Sequence, residues 1–498
     1  MKMLNDYYFG KADGYEEVRT ENYDIDTYYY DKGIDLVKDE ILILFGRKGN
    51  GKTFIAQKAM KDIAQAGGDA YFIRYQMIKR KMQLLNVNIP RLIDWEMAIT
   101  FLICEELIGC GLIYVEDPEA LLPYVAVKQN TLGLKGILNR ISGEASLPLG
   151  IKMAFRPDEK KSKDSPEVLC EKLITELISI ETDKNILFIF DEFDELLFTS
   201  EEREALSSFI EMLNSYPREH RIKNVKFVVL LRNDKIVMKG AAQKILLDKS
   251  TTLSWTKDDL YEMLDKRLKA NGITLEHIFD KNIAIYDYDP ISKEKEVNNK
   301  PFWDFLMDYT LYRPRDLIEF LNICTSGGFK KLERIGTSDL KKVLKIYSKE
   351  YFLNDICDEL LAFFQNKDIE KTRRIMLNLF TKLCDVPADR DNNSHYWILL
   401  EGFKCSQFYD IAKEELPENF SNDDIIKELF EYLLKIGCIG QLKRIGTAPG
   451  IGGKLQWGFT FEGATVNVSS DGRYILHKAI RYLFMEEFIQ EGVNKNEK

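Results

Sequence analysis

The sequence has few of the residues from which metal centres and covalent catalytic sites are usually built. Its only histidines are His220, His277, His395 and His477, and they form no ligand-spaced set with one another or with cysteine. The eight cysteines are scattered, and none of them forms a C-x-x-C pair. No Ser-His-Asp or nuclease-like carboxylate pattern stands out. We therefore expect reduced, mostly buried thiols and no Cys/His metal site.

Long apolar segments are also missing. No run reaches the length of about 18 apolar residues that a membrane-spanning helix needs, and the N-terminus has no basic-then-apolar signal pattern. We therefore expect a cytoplasmic protein that does not cross a membrane. The formal net charge of −10 argues against a general polyanion binder but allows a local basic face.

The length of the chain sets how many folding units to expect. A chain of 498 residues corresponds to about three domains. The hydrophobic and charged fractions, 45% and 30%, are ordinary for globular proteins. The predicted divisions are an N-terminal arm (1–35), an α/β core (36–255) with a helical insertion at about 78–170, a helical lid (256–349), and a C-terminal helical and winged-helix domain (350–498).

The strongest signal is an apolar strand that runs directly into a glycine-rich loop. Residues 41–45 are apolar, and residues 46–53 complete a G-x-x-x-x-G-K-T pattern followed by a helix-compatible segment. Such a loop points its backbone N–H groups at phosphate oxygens, and the next helix presents its N-terminus to the same anion. The sequence therefore predicts a nucleoside triphosphate site formed by Gly46, Arg47, Lys48, Gly49, Asn50, Gly51, Lys52 and Thr53.

A second apolar strand ends in two carboxylates. Residues 185–190 are followed by Asp191 and Glu192, and continuous apolar runs of this kind suit strands buried in a parallel sheet. Together with the Thr53 hydroxyl, Asp191 is predicted to hold Mg²⁺. Glu192 is predicted to orient the attacking water. The neighbouring Asp194 and Glu195 could join the metal shell, but a solvated loop or helix start is the simpler interpretation.

Two further polar positions are candidates for contacts with the γ-phosphate. The apolar strand at 225–231 ends in Arg232 and Asn233, although an exposed charged turn is the alternative interpretation. Pro314 and Asp316 predict a helix start that carries Arg315. Arg315 could reach a bound phosphate, or it could instead form a structural salt bridge.

The C-terminal part contains a winged-helix pattern. An amphipathic helix at 423–436 stops at Gly437 and is followed by a strand, a glycine-rich turn and a second strand. The predicted wing carries Lys443, Arg444 and Lys454, so duplex DNA is one candidate ligand, and a protein surface is the other. A closing helix is predicted at 475–489, with His477 as a packed residue rather than a ligand.

The order of these motifs resembles that of AAA+ ATPases, closest to an origin-recognition-like or STAND-like bacterial branch. The resemblance implies a P-loop NTPase sheet with ATP and Mg²⁺, Lys52 and Thr53 as Walker A residues, and Asp191 and Glu192 as the Walker B pair. It also implies that Arg232 or Asn233 acts as sensor 1 and Arg315 as sensor 2. Two departures from the pattern are an arginine at the sensor 1 tip and no clear trans-acting arginine, although Arg218 and Arg221 lie in a suitable region.

Three functions remain open on the sequence alone. The first is an ATP-binding and ATP-hydrolysing conformational switch. Because ATPases resembling this branch often occur in defence or mobile-element loci, it would be a sensor or regulatory subunit of an antiphage system, acting as a homo-oligomer or with a separate effector protein. The second is a DNA-binding loader ATPase of the replication or repair type. The third is a nucleotide-binding interaction module that does not hydrolyse ATP.

Overall fold

The computed structural model describes most of the chain and divides it into two compact units. The described residues are 3–11, 13–18, 24–87, 90–109, 165–178, 184–193, 200–220, 222, 224–232, 240–288, 295–361, 363–364, 368–386, 389–390, 399–400, 402–445, 454–465 and 468–484. The sheet unit comprises Lys32–Lys48 and Lys52–Leu253. The helical unit comprises Met1–Asp31, Gly49–Gly51 and Ser254–Lys498.

The helices are α1 Gly14–Val18, α2 Ile25–Tyr28, α3 Lys52–Gln65, α4 Tyr75–Leu84, α5 Leu92–Gly109, α6 Pro166–Ile178, α7 Ser200–Glu219, α8 Ala241–Lys249, α9 Lys257–Ala270, α10 Leu275–Ile278, α11 Phe302–Met307, α12 Pro314–Cys324, α13 Thr337–Ile346, α14 Leu353–Leu360, α15 Ile369–Cys384, α16 Cys405–Glu415, α17 Asp423–Lys435 and α18 Lys478–Arg481. The strands are β1 Ile43–Phe45, β2 Asp69–Arg74, β3 Ile186–Asp191, β4 Val225–Leu231, β5 Ser250–Thr252, β6 Asn282–Tyr288, β7 Lys295–Pro301, β8 Asp389–Arg390, β9 Leu399–Leu400, β10 Phe403–Lys404, β11 Ile439–Ile445, β12 Lys454–Gly458 and β13 Arg473–Leu476.

The sheet unit is a parallel α/β sheet of the P-loop NTPase class, as predicted. Its strand order is β2-β3-β4-β1-β5, and every neighbouring pair is parallel. Five consecutive residues of β3, Ile186 to Phe190, are buried, which explains the unbroken apolar run in the sequence. Burying each such side chain contributes about 1.5–3 kcal/mol. Strand β4 lies between β1 and β3, so the ends of these three strands meet at one edge of the sheet.

Helices pack against this sheet, and the hydrophobic core of the unit is formed by buried residues of both. Helix α3 begins at Lys52, directly after the glycine-rich loop, and buries Ile55, Ala56, Ala59 and Ile63. Trp95 on α5 is fully buried, and its indole N–H donates to the carbonyl oxygen of Ala205 on α7 at 2.9 Å. Helix α7 spans 20 residues and ends at Glu219. The glycine-rich loop therefore connects a buried strand, β1, to a packed helix, α3.

The helical unit has its own core, and its first part is not entirely helical. An antiparallel hairpin of β6 and β7 lies between α10 and α11, with Asn282 opposite Pro301. The expectation of helix throughout 256–349 is therefore wrong at this hairpin. The local strand signal here is the presence of β-branched and aromatic residues, namely Ile283, Ile285 and Tyr286.

The C-terminal part of the helical unit is a winged-helix fold, as predicted. Helices α16 and α17 precede a four-stranded antiparallel sheet with the order β10-β13-β11-β12. The helix predicted at 475–489 is wrong at its start, because residues 473–476 form β13 within this sheet. All four of these residues are buried, so pairing with β10 and β11 overrides local helix propensity. The helix spans only Lys478–Arg481, residues 482–484 form a turn, and residues 485–489 lie outside the described residues.

His477 is a packed residue, although it caps a helix instead of lying inside one. Its Nδ1 accepts from the backbone N–H of Ala479 at 3.2 Å, and its Nε2 lies 3.1 Å from the carbonyl oxygen of Thr310. Burial lowers the pKa of His477 to about 3. The ring is therefore neutral at physiological pH, and Nε2 is the donor to Thr310. Among the helices that the structure describes, none is both long and apolar enough to cross a membrane.

Candidate functional site

The glycine-rich loop begins at the buried end of β1 and closes on itself through Lys52. The backbone N–H of Gly46 donates to the carbonyl oxygen of Leu231, the last residue of β4, at 3.1 Å. The Lys52 ammonium donates to the carbonyl oxygens of Gly46 at 2.8 Å and Arg47 at 3.2 Å. Lys52 therefore folds over the loop, where a bound phosphate would offer stronger, anionic acceptors.

Positive backbone angles allow the loop to curl. Gly49 has φ +83° and Gly51 has φ +90°, values that residues with a Cβ rarely adopt. Gly49 is also crowded, because a Cβ there would lie 3.2 Å from the Cβ of Arg315. Conformation and space therefore both require glycine at position 49.

Gly49→Ala is expected to weaken nucleotide binding about five- to 150-fold, because strain of about 1–3 kcal/mol falls on the loop itself. Titration with a fluorescent ATP analogue measures this effect. Gly67→Ala is the matched control, since Gly67 has φ +80° but no atom within 4 Å of the added Cβ. Both variants should lose a similar amount of thermal stability, and equal loss of binding in both would contradict a role of Gly49 in the loop.

Thr53 and Asp191 lie together at the ends of α3 and β3. The Thr53 hydroxyl donates to Asp191 Oδ2 at 2.9 Å, although 138 positions separate the two residues. A hydroxyl beside a half-buried carboxylate is an oxygen donor set that suits Mg²⁺, which normally takes its remaining ligands from phosphates and water. Within the described ranges no group of three or more His, Cys, Asp or Glu side chains forms a metal cage. The Thr53 hydroxyl and the Asp191 carboxylate therefore fit an Mg²⁺ ion whose other ligands are phosphate oxygens and water.

Glu192 is held in a strained conformation next to this pair. It has φ +68°, which is rare for a residue with a side chain, and its backbone N–H donates to Asp191 Oδ1 at 2.8 Å. Its carboxylate lies 3.5 Å from Nε of Arg74, the last residue of β2, which is paired in register with Asp191. Backbone strain at one residue of a candidate site is consistent with a functional constraint. The sequence contains no signal for Arg74 at this site other than its place at a strand end.

The strand-end position after β4 is occupied by a buried arginine. Arg232 is only 5% exposed, so the alternative of an exposed turn does not hold for this residue. It follows Leu231, whose carbonyl oxygen bonds to the loop at Gly46. Arg218 lies in the last turn of α7. Asn233, Asp194, Glu195 and Arg221 lie outside the described residues.

Within the helical unit, two residues approach the loop segment Gly49–Gly51. The backbone N–H of Arg315 is 3.4 Å from the carbonyl oxygen of Gly49, and the indole N–H of Trp255 donates to the carbonyl oxygen of Asn50 at 2.9 Å. Helix α12 begins at Pro314, as predicted. Arg315 Nη1 is also 3.9 Å from Asp355 Oδ1, so the salt bridge considered as an alternative is present beside the loop contact. Trp255 carried no sequence signal for this contact.

The winged-helix part contains a helix with an acidic exposed surface and a hairpin whose sequence carries three basic residues. The exposed residues of α17 are Asp423, Asp424, Lys427, Glu428, Glu431 and Lys435, four acids against two lysines. The predicted basic residues lie on the β11–β12 hairpin, where Arg444 pairs with Leu455 and Ile445 pairs with Lys454. Lys443 is on the same hairpin, opposite Gln456. In a winged helix, the exposed face of the second helix is the one that enters a DNA groove, and here that face is acidic.

Comparisons with known proteins place part of the chain in context. Residues 258–356 match the family described as the FunZ-associated C-terminal helical domain. A comparison with curated protein sequences finds no significant match.

Among solved structures, the Aeropyrum pernix ORC1 protein in complex with DNA has a TM-score of 0.33 at 13% identity, covering 85% of this chain and 84% of that chain. AMPPCP-bound DnaA from Aquifex aeolicus has a TM-score of 0.31 at 10% identity, covering 83% and 92%. The replication initiator DnaA bound to AMPPCP and single-stranded DNA has a TM-score of 0.29 at 12% identity, covering 70% and 76%. At these scores the likenesses decide nothing about this chain's activity.

Proposed function

We propose that this chain is an ATP-binding and ATP-hydrolysing conformational switch. The observation that carries the proposal is the contact between Thr53 and Asp191 beside a loop closed by Lys52. Lys52 and Thr53 are adjacent, whereas Asp191 lies 138 positions after Thr53, and the strand order brings the three residues to one edge of the sheet. A phosphate-binding loop next to an Mg²⁺-type donor pair is the arrangement that a nucleoside triphosphate requires.

Each residue has a distinct proposed role in hydrolysis. Mg²⁺, held by Thr53 and Asp191, would neutralise charge on the phosphate oxygens. Lys52 exchanges its two carbonyl acceptors for β- and γ-phosphate oxygens. Glu192 polarises and orients the attacking water, and Arg232 stabilises the charge that develops on the transferred phosphoryl group. Asn233 is proposed to assist Arg232.

The switch itself is proposed to act through Arg315. This residue is the second of α12 in the helical unit, and its backbone N–H lies 3.4 Å from the carbonyl oxygen of Gly49 in the loop. Binding of a γ-phosphate by Arg315 would favour one pose of the C-terminal winged helix, and loss of the phosphate would release it. That the switch serves as a sensor or regulatory subunit in antiphage defence, in the cytoplasm, as a homo-oligomer or with a separate effector, rests on the sequence resemblance alone.

The second candidate function is a DNA-coupled loader ATPase. The winged-helix fold favours it, but the acidic exposed face of α17 disfavours insertion of this helix into a DNA groove. DNA binding would instead use the hairpin residues Lys443, Arg444 and Lys454. The third function, a module that binds ATP without hydrolysing it, requires that Glu192 be inactive.

Steady-state ATP hydrolysis by the purified chain, with and without duplex DNA, separates the three functions. We expect turnover that changes less than about twofold when DNA is added, because the α17 face repels phosphates. Stimulation by DNA that disappears in the variant Lys443→Glu/Arg444→Glu would favour the loader function. Tight ATP binding without turnover, even at high protein concentration, would favour the non-hydrolysing module.

A further inference from the structure

The helical unit contains a surface cavity between α9, α10 and α11. Its volume is about 220 Å³, and every residue that lines it belongs to the helical unit. Pockets for drug-sized ligands occupy about 300–1,000 Å³, so this cavity suits a smaller group, such as one side chain. None of its lining residues takes part in the proposed nucleotide site.

Four buried side chains give the cavity an apolar lining. Phe279 and Phe302 stack on each other with their ring centroids 4.1 Å apart. Leu264 and Leu268, one turn apart on α9, are buried as well. Because burial of apolar surface is favourable and burial of a bare charge is costly, this lining favours methylene groups over an isolated ion.

Two less buried aromatic rings also line the cavity. Tyr261 is 46% exposed and Trp303 is half-buried, and their ring centroids lie 5.3 Å apart with the planes at 77°. A T-shaped pair of this kind leaves a corner that is bounded by a face of each ring. The face of an aromatic ring attracts a cation that lies within about 6 Å of the ring centroid. The two rings therefore favour a cationic group in the cavity.

The charged residues of the lining are mainly acidic. They are three carboxylates and one lysine, namely Asp265, Glu276, Asp280 and Lys281. Among the described residues the Glu276 carboxylate has no cationic partner, and its polar contact there is the Thr274 hydroxyl at 3.5 Å. Glu276 is therefore an acceptor that a cation entering the cavity can use.

The other two carboxylates form ion pairs at the surface. Asp265 pairs with Lys269 one turn along α9, and Asp280 lies 3.0 Å from Arg334. The side chains of Lys269 and Arg334 are 71% and 49% exposed, and neither residue lines the cavity. Exposed ion pairs contribute little to stability, so an incoming cation can share these carboxylates at small cost.

We propose that this cavity binds the arginine side chain of a partner protein segment. The methylene stem of arginine suits the buried apolar lining, and its planar guanidinium both stacks on aromatic rings and donates to carboxylates. Lysine matches less well, because its ammonium group is more strongly hydrated and has no plane to stack. The proposal does not depend on nucleotide binding, so it stands or falls separately from the proposed function.

The test uses the full chain labelled with 5-fluorotryptophan, in which Trp303→Phe identifies the fluorine resonance of Trp303. The probe is N-acetyl-arginine methylamide, which presents the side chain as it occurs within a polypeptide. We expect a saturable shift of the Trp303 resonance. The citrulline analogue has the same shape without the charge and is expected to bind about two- to 30-fold more weakly, the range spanned by cation–π contacts.

Variants of the lining separate the two kinds of contact. Glu276→Gln is expected to weaken binding of the arginine probe about two- to fivefold and to leave the citrulline analogue unaffected. Glu428→Gln, at an exposed glutamate of α17 outside the lining, is the matched control and should change neither affinity. Tyr261→Leu is expected to weaken arginine binding about two- to fivefold, whereas Tyr261→Phe keeps the ring and should bind as the parent chain does.

Three results would overturn the proposal. The first is equal affinity for the arginine and citrulline probes, and the second is an equal effect of Glu276→Gln and Glu428→Gln. The third is binding of the bare guanidinium ion as tight as that of the arginine probe, which would indicate a site for a small cation instead of a protein segment. Thermal unfolding of each variant shows that a loss of binding is not a loss of fold.

Discussion

Substitution of Lys52 by alanine is expected to abolish measurable nucleotide binding. The Lys52 ammonium lies over the loop with two carbonyl acceptors, at the position where β- and γ-phosphate oxygens would be held. Each charge-assisted hydrogen bond contributes about 1.5–3 kcal/mol, so loss of two of them predicts a dissociation constant raised at least about 100-fold. Calorimetric titration with ATP and Mg²⁺ measures the change directly.

Lys58→Ala is the matched control for this variant. Lys58 lies on the same helix, α3, and forms a salt bridge one turn away with Asp62. Its removal changes the net charge by the same amount and is expected to leave affinity within about twofold, because Lys58 pairs with Asp62 and a partly exposed ion pair contributes little. Equal loss of affinity in both variants would indicate a general charge effect, and unchanged affinity in Lys52→Ala would refute the assigned nucleotide site.

The parts of the fold that the sequence predicted are those whose signals are local. The run from β1 through the loop into α3 lies in one continuous segment, and β3 is an unbroken apolar run ended by carboxylates. Both patterns are set by burial on two faces of a parallel sheet, so neighbouring residues are enough to identify them. The same applies to the start of α12 at Pro314, where proline fixes the backbone angle of the first turn.

The parts that were missed depend on pairing between distant segments. Strand β13 forms because its residues fill the space between β10 and β11, and nothing in the segment Arg473–Leu476 excludes a helix. Arg74 meets Glu192 only because β2 and β3 lie side by side. Trp255 reaches Asn50 because the chain returns to the loop after β5. Such contacts follow from sheet order, which local periodicity does not contain.

Substitution of Glu192 is expected to reduce the rate of ATP hydrolysis strongly. Glu192→Gln is expected to bind ATP and Mg²⁺ as tightly as the parent chain while hydrolysing ATP at least about 100-fold more slowly. Glutamine keeps the size of the side chain and can occupy the same backbone conformation, but it is not a base. Loss of a positioned general base typically costs a factor of about 10²–10⁴ in rate. Single-turnover hydrolysis and a parallel binding titration separate the two effects.

Glu192→Gln also tests whether Asp191 and Glu192 have separate roles. Asp191 accepts the Thr53 hydroxyl, whereas Glu192 faces Arg74 from a strained backbone position, so only Asp191 belongs to the proposed metal pair. Asp191→Asn should therefore weaken the Mg²⁺ dependence of binding, and Glu192→Gln should leave it unchanged. Glu201→Gln, at an exposed glutamate in the first turn of α7, is the control and should hydrolyse ATP normally. If Glu192→Gln lost binding and hydrolysis together, Glu192 would have to be placed with the metal, and the proposed division between metal holding and water activation would be wrong.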